Sequence, residues 1–408
     1  MRPLRLAYLV THPIQYQAPL LRRINAEPDI ELTAFFGSDF STRSFVAGEF
    51  GRAIEWDVKL VDGYAHEFLP DLWGKPKSGT LPPLDFWRPL SYAIARRLDA
   101  GGFDAVWVHG YAHWSHWSAM VSARARGIKV LLRDEATAIS APRSAARRLA
   151  KRAFFAGLGR LVDAFLAIGT LNRRYYIENA IAPSRIFAMP YAVDNAHFRA
   201  GAELAPRARE ELRAKLGLEP GRPILLFAAK LIERKRPSLL LEAFARLHHE
   251  AALGRPYLLF AGDGPLRASL ERQAQAQAPG AVRFLGFQGQ ADLPASYGLC
   301  DAFVLPSALE AWGLVVNEVM CAGRAVIVSD RVGAGPDLVR PGENGAIFRA
   351  DDVDDLARVL REVLADKQRL AAMGRQSLAI IERWSFEEDV AGLRQALAAV
   401  CPGKLAPS

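Results

Sequence analysis

Two glutamates, Glu310 and Glu318, stand eight residues apart in LPSALEAWGLVVNEVMCAGRAVIVSD, residues 305–330, with Trp312-Gly313-Leu314 between them. A helix-like run and then a buried-strand run, residues 325–329, follow. Two carboxylates straddling the start of a helix can accept hydrogen bonds from two sets of vicinal hydroxyls, one on a sugar and one on a ribose. The helix N-terminus adds free N–H groups and a partial positive charge that suit a diphosphate. The competing reading is a surface Glu310 that caps the helix and an ordinary helical Glu318. Upstream, Lys230 and Lys235 could stabilise charge on a departing nucleoside diphosphate with no metal. Within ERKRP the same lysines also read as a solvated charge run. His109 ends an apolar strand run, where a side chain of a parallel sheet meets its ligand; the competing reading is a buried or loop histidine. His109, His113 and His116 lack a supporting cysteine or carboxylate cluster, so no metal is expected.

The elements that must position these residues alternate strand and helix. In the first half, strands are expected at residues 5–10, 30–36, 104–108, 129–132, 164–168 and 186–190, with helices at 19–25, 90–98, 115–126 and 171–180. Residues 37–90 break this rhythm. They are irregular and rich in aromatics, among them Phe40, Phe45, Phe50, Trp73, Phe86 and Trp87, and read as an insertion with its own packing cluster or as an acceptor-binding surface. Residues 199–223 are polar and Pro/Gly-punctuated, with a short helix at 207–216, and lead into a second β/α series. Its strands are expected at 224–228, 257–260, 282–285, 302–305, 325–329 and 346–348. Helices at 353–365 and 367–383 follow, and one more at 386–400 comes after Trp384-Ser385. The grammar is that of an α/β protein with doubly wound parallel sheets.

A chain of 408 residues is too long for one ordinary core and suggests two domains. Half its residues are hydrophobic and 24% are charged, an ordinary globular composition. No apolar run is long enough for a transmembrane helix, and the start MRPLRLAYLVTHPIQ reads as a first strand and not as a signal peptide. The three cysteines, Cys300, Cys321 and Cys401, fit neither a disulfide framework nor a zinc site, and point to a reducing cytosol. The net charge is +8, and residues 1–200 carry 26 Lys/Arg against 18 Asp/Glu, whereas residues 201–408 carry 26 of each. The excess belongs to the N-terminal half, which should prefer an anionic membrane surface, a phosphorylated acceptor or an acidic polymer. Residues 143–160 hold six basic residues and no acid. On a helix, Arg143, Arg147 and Lys151 share a face that Phe154, Leu158, Leu161 and Phe165 continue. Peripheral contact with an anionic membrane through this charge stands against a solvated basic end with a buried apolar end. Nucleic acid is disfavoured, since no stacking aromatics interleave with the basic residues.

Together, the Glu310/Glu318 pair, Gly262-Asp263-Gly264 and Lys230…Lys235 resemble the retaining GT-B glycosyltransferases of the family 4 type. The resemblance runs over essentially the whole chain and is strongest at residues 160–350. It implies two Rossmann-like β/α/β domains facing across a cleft: an acceptor-side domain at 1–198, a donor-nucleotide domain at 199–384, and a helix at 385–402 packing back on the first. Glu310 and Glu318 match the E-x7-E motif, the first contacting the donor sugar and the second the ribose. Trp312, Gly313 and Leu314 fall within that donor-binding segment. Lys235 matches the lysine that neutralises the diphosphate, Lys230 stands where an arginine is usual, and Gly286-Phe287 match the place where backbone meets the base. His109 matches a histidine over the donor sugar.

The implied reaction is transfer of a hexose-type sugar from a nucleoside-diphosphate sugar to an acceptor hydroxyl, with retention and with no cofactor or metal required. The setting would be polysaccharide, glycolipid or cell-envelope glycan synthesis, the acceptor a glycan or lipid-linked molecule, and the location cytoplasmic, peripheral at the inner face of the membrane. Three departures bear on this reading. THPIQYQ around His12 replaces the paired glycines of the first loop, Ala311 replaces a glycine that a strongly positive φ would require, and Asp337 stands for a glutamate. His12 and Glu135 are the acceptor-side candidates, Glu135 as an acceptor ligand, a general base or a cap. Two other classes remain: an inactive nucleotide-sugar-binding subunit, and a sugar-nucleotide epimerase of the same fold. A nicotinamide dehydrogenase is disfavoured by the lack of G-x-G-x-x-G after the first strand.

Overall fold

Along the strand Leu4–Val10 (β1), Leu4, Leu6, Tyr8 and Val10 enter one apolar cluster and Ala7 and Leu9 enter another on the opposite face. A strand buried on both faces needs an unbroken apolar run, and a parallel sheet covered by helices on each side supplies that environment. A computed structural model of the protein describes residues 2–47, 52–74, 79–80, 84–140 and 144–405. It divides into two compact units: residues up to Ala47 with Ala53–Val193 and Phe386–Ser408, and Asp194–Ser385.

The first unit is built on β1, Ile30–Phe36 (β2), Ala65–Phe68 (β3), Ala105–His109 (β4), Lys129–Arg133 (β5), Ala164–Ala167 (β6) and Ile186–Ala188 (β7). These lie in the order β7-β6-β5-β4-β1-β2-β3, all parallel. The winding therefore reverses at β1, beside β4. The helices Gln17–Asn25, Ala93–Gly101, Trp114–Ala125 and Thr170–Glu178 join them. The helix Phe386–Val400 belongs to this unit: Arg394 binds Asp29 at 2.6 and 2.9 Å, and a Cβ at Gly392 would come within 1.7 Å of the Ala188 carbonyl oxygen. Only glycine lets helix and strand backbone meet that closely.

Two expectations are corrected here. Residues 37–90 are not wholly irregular: β3 extends the sheet, and Phe45–Ala47 pairs in parallel with Gly79–Thr80. The sequence AHEF hides β3, because an edge strand with exposed Ala65 and His66 needs no apolar run. The aromatics of this region split. Phe40, Phe45 and Tyr64 are buried, whereas Trp73, Phe86 and Trp87 are exposed; Phe50 lies outside the described residues. The basic segment also differs. Its helix is Ala145–Leu158, buries Phe155 and Leu158, and ends before Leu161, while Phe165 is in β6. Arg143 lies outside the described residues.

The second unit holds Ile224–Ala228 (β8), Tyr257–Ala261 (β9), Val282–Gly286 (β10), Ala302–Leu305 (β11), Ala325–Ser329 (β12) and Gly345–Phe348 (β13). Their order is β10-β9-β8-β11-β12-β13, again all parallel, with the reversal between β8 and β11. One core joins Leu225, Phe227, Phe260, Val304 and Ile327 to the helices Pro237–Ala245 and Val353–Leu364. The helix Asn195–Ala202 escaped the sequence reading. Its signal was present, since Asp194 caps it by accepting the His197 N–H at 3.0 Å. The fold is α/β, with two Rossmann-like parallel sheets.

Candidate active site

In a doubly wound sheet the loops diverge where the strand order reverses, and ligands bind outside the carboxyl ends of the strands there. In the second unit that point lies between β8, followed by Lys230 and Lys235, and β11, followed by Glu310. The chain leaves β8 through a one-turn helix, Glu233–Lys235, then a left-handed Arg236 (φ +52°) and the proline that opens Pro237–Ala245. This turn is laced to the loop after β11. Ala308 N–H donates to Arg234 O at 2.9 Å, the Arg234 guanidinium donates to Leu309 O at 3.0 Å, and the Lys235 ammonium binds Glu310 Oε2. Glu310 Oε2 also accepts from Ser307 Oγ at 3.4 Å and has Arg234 at 3.8 Å. Lys235 and Glu310 are only 13% and 14% exposed, so their charges act in a partly dry setting and are poorly screened.

The backbone around this pair is held by glycines. Gly262 (φ +146°) and Gly264 (φ +157°) let the loop after β9 touch the loop after β8, where a Cβ would meet Ala229 O at 2.0 Å and Leu231 O at 2.6 Å. The GDG sequence is therefore scaffolding for the Lys230 loop. Gly313 (φ +98°) abuts Glu310, whose Cγ a side chain would approach within 3.3 Å. Ala311 is not among the described non-glycine residues with positive φ, so alanine is tolerated there; the positive φ of this segment is at Gly313.

Glu318 lies in the first turn of Val315–Cys321, two residues later in starting than expected, and accepts the buried Tyr297 hydroxyl at 2.6 Å. Burial pushes its carboxyl up to about 7, against the lowering effect of the Tyr297 hydrogen bond and His197. Trp312 turns its side chain inward. Its indole is buried, donates to Asn317 Oδ1 at 2.9 Å and stacks on Trp384 at 5.3 Å, so it faces the core and leaves backbone for a ligand. Leu314 is partly buried just before the helix, Gly286 (φ +73°) ends β10 and Phe287 follows it. Lys230 is partly buried two residues past β8. Arg234, Ser307 and Tyr297 were missed by sequence reasoning; Arg234 stood in the ERKRP run, but nothing in the sequence marked the other two.

In the first unit the reversal point has a different character. His109 ends β4, buried, with Nδ1 2.9 Å from the Tyr8 hydroxyl. Burial first, and Arg133 second, hold its imidazole down to about 3. His12 follows β1, 2.9 Å from Thr11 Oγ1 and against Phe40, and burial lowers it to about 4. Both rings are therefore neutral at neutral pH. Glu135 follows β5, is exposed, and takes two hydroxyls on Oε1: Tyr191, and Tyr16 at 3.2 Å. Behind it, fully buried Arg133 lies 4.5 Å from the Tyr191 ring and 3.4 Å from Asp389. Two tyrosine hydroxyls thus hold the Glu135 carboxylate in place.

Residues 208–378 match the family model described as glycosyl transferases group 1. The D-inositol 3-phosphate glycosyltransferase of Nocardia farcinica is 28% identical over 320 residues, which covers 75% of this chain and 68% of that protein. A GDP-mannose-dependent alpha-(1-6)-phosphatidylinositol monomannoside mannosyltransferase of Mycolicibacterium smegmatis is 29% identical over 211 residues, 49% of this chain and 53% of that protein. A glycosyltransferase from Rickettsia africae is similar in fold with a TM-score of 0.74 at 13% identity, covering 99% of this chain and 100% of that one. The Anabaena protein HepE in complex with UDP and glucose gives 0.70 at 15% identity, covering 97% and 100%. The likeness to these solved structures shows the fold, two Rossmann-like domains of the GT-B kind.

Proposed function

We propose that this protein transfers a hexose-type sugar from a nucleoside-diphosphate sugar to an acceptor hydroxyl with retention of anomeric configuration. The observation that carries the reading is the Lys235–Glu310 pair at the strand reversal of the second sheet. A diphosphate arriving there competes with Glu310 for the Lys235 ammonium, and the freed carboxylate can accept hydroxyls of the donor sugar. Lys235 and Lys230 then balance the charge that grows on the leaving diphosphate. Glu318 takes the ribose hydroxyls, and backbone at Gly286-Phe287 and Gly313-Leu314 takes the base and phosphates. His109, neutral and fixed by Tyr8, bonds a sugar hydroxyl. In the front-face route the leaving phosphate oxygen helps to deprotonate the incoming hydroxyl, so no carboxylate nucleophile is required.

His12 and Glu135 are assigned to the acceptor, a glycan or lipid-linked molecule of polysaccharide or envelope synthesis. The relatives that act on inositol phosphate and phosphatidylinositol mannoside support an acceptor bearing phosphate. The excess positive charge of the first half, with Arg147, Arg148 and Arg152 exposed on one helix, supports peripheral contact at the inner face of a membrane. Among the described residues no helix is long and apolar enough to cross one. The test is to incubate the protein with UDP-, GDP-, ADP- and dTDP-sugars and a panel of glycan and lipid-linked acceptors, and to read product configuration by NMR. An α-linked product from an α-linked donor is expected. Inversion would overturn the mechanism, and full activity in both Glu310→Ala and Glu318→Ala would overturn the site.

A further inference from the structure

One apolar cavity takes no part in the chemistry above. It has a volume of about 790 Å³ in the first unit, between the helices Trp114–Ala125 and Ala145–Leu158, and its walls include Phe86, Trp114, Trp117, Val121, Lys151 and Phe154. Large apolar groups remain in water at its mouth: Phe86 is 42% exposed and Val121 52%. Exposed apolar surface of this kind marks a binding site, and the volume falls in the range of ligand pockets.

The two lining helices are basic, and the acid that acts on Lys151 is the buried Asp134. Neither lining helix contains an acidic residue, and Arg147, Arg148 and Arg152 are exposed on the second. The Lys151 ammonium lies over the rings of Tyr111 and Phe154, at 5.0 and 4.6 Å, and donates to the Tyr111 hydroxyl at 3.2 Å. A cation is thereby fixed against the aromatic wall while its stem covers apolar surface. Asp85, beside Phe86, is the nearest acid in sequence. An apolar hole beside a basic helix is complementary to an amphiphile with a hydrocarbon tail and an anionic head.

We infer that this cavity is a subsite for the hydrocarbon chain of a lipid-linked acceptor whose anionic head is drawn by the Ala145–Leu158 helix. The inference rests on the glycosyltransferase reading and adds the acceptor class. It commits to a single chain entering the pocket, and not to a bilayer lying against it.

The probe is decyl phosphate kept below its micelle concentration, titrated into the full chain and followed by tryptophan fluorescence. Saturable binding is expected, with butyl phosphate weaker by at least about 30-fold, since each buried methylene contributes about 0.8 kcal/mol. Val121→Asp and Phe86→Ala alter exposed side chains, so the fold should survive, and each should weaken decyl phosphate at least about tenfold. Nucleoside-diphosphate binding, measured on the same samples, should stay within about twofold. Equal binding by wild type and Val121→Asp would overturn the subsite. So would retention on phosphatidylglycerol vesicles, lost in Arg147→Glu/Arg148→Glu, with no saturable decyl phosphate binding, because the face would then be a bilayer contact. Loss of donor binding in the wild type would sink the glycosyltransferase reading instead, and is read independently in the nucleotide titration.

Discussion

The two sheets share one winding plan, first strand at the centre and a reversal beside it, yet their reversal points differ in electrostatic character. In the second unit the point holds a lysine–glutamate pair with an arginine close by, on loops joined by the Ala308–Arg234 main-chain bond and the Arg234 guanidinium. In the first it holds two imidazoles kept neutral by burial and a carboxylate held by tyrosine hydroxyls. Fixed cations suit a polyanion. Neutral rings and oriented hydroxyls suit the hydroxyl groups of a ligand. The same scaffold can therefore be divided between a phosphate-rich donor and a sugar-like acceptor through loop chemistry alone.

The sharpest way to break this comparison is to remove one charge from the second unit and one hydroxyl from the first. Glu310→Ala should lower kcat at least about 100-fold, with acceptor KM nearly unchanged in steady-state assays. A shift confined to acceptor KM would move Glu310 to the other side of the reaction. Lys235→Met should weaken nucleoside-diphosphate binding by about 10- to 100-fold, the usual effect of losing a hydrogen bond to a charged group. An unchanged titration would return Lys235 to a structural pairing with Glu310. Tyr16→Phe should raise acceptor KM by about tenfold and leave nucleotide affinity alone; a nucleotide effect would contradict the division.

Smaller effects follow from protonation. The Glu318 carboxyl is raised to about 7, so it carries its proton below that value and loses it above. The ionised form is the better acceptor of ribose hydroxyls, so donor binding should tighten several-fold as pH rises through about 7, and Glu318→Gln should flatten the rise. The stability contribution has the opposite sense: present below the ordinary carboxyl range, it is lost as pH climbs through about 7. His109, held down to about 3, should add no limb to kcat/KM between about pH 5 and 8. A limb in that range that vanishes in His109→Asn would show a charged imidazole.

Much of the second unit was legible because its residues carry two messages at once. The runs at Ile224–Ala228, Ala302–Leu305 and Ala325–Ser329 are apolar through and through, and lie where the buried strands form. Glu310, Glu318 and the two lysines then fall at strand or helix ends. What stayed hidden was local. Spacing puts Trp312 between the glutamates but does not show that its indole turns inward, onto Asn317 and Trp384. In the first unit β3 was invisible, since an edge strand needs no apolar run. Glu135 could be placed at a strand end, but its tyrosine partners lie 119 and 56 residues away and no spacing rule joins them.

The central claim is that the Lys235–Glu310 pair is the donor site. A thermal-shift screen of wild type, Lys235→Met and Glu310→Ala against UDP-, GDP-, ADP- and dTDP-sugars tests it most directly, because stabilisation grows with ligand over Kd. The account predicts that one base class stabilises the wild type and that the shift collapses in Lys235→Met. Equal shifts in all three proteins, or none in the wild type with any donor, would contradict it.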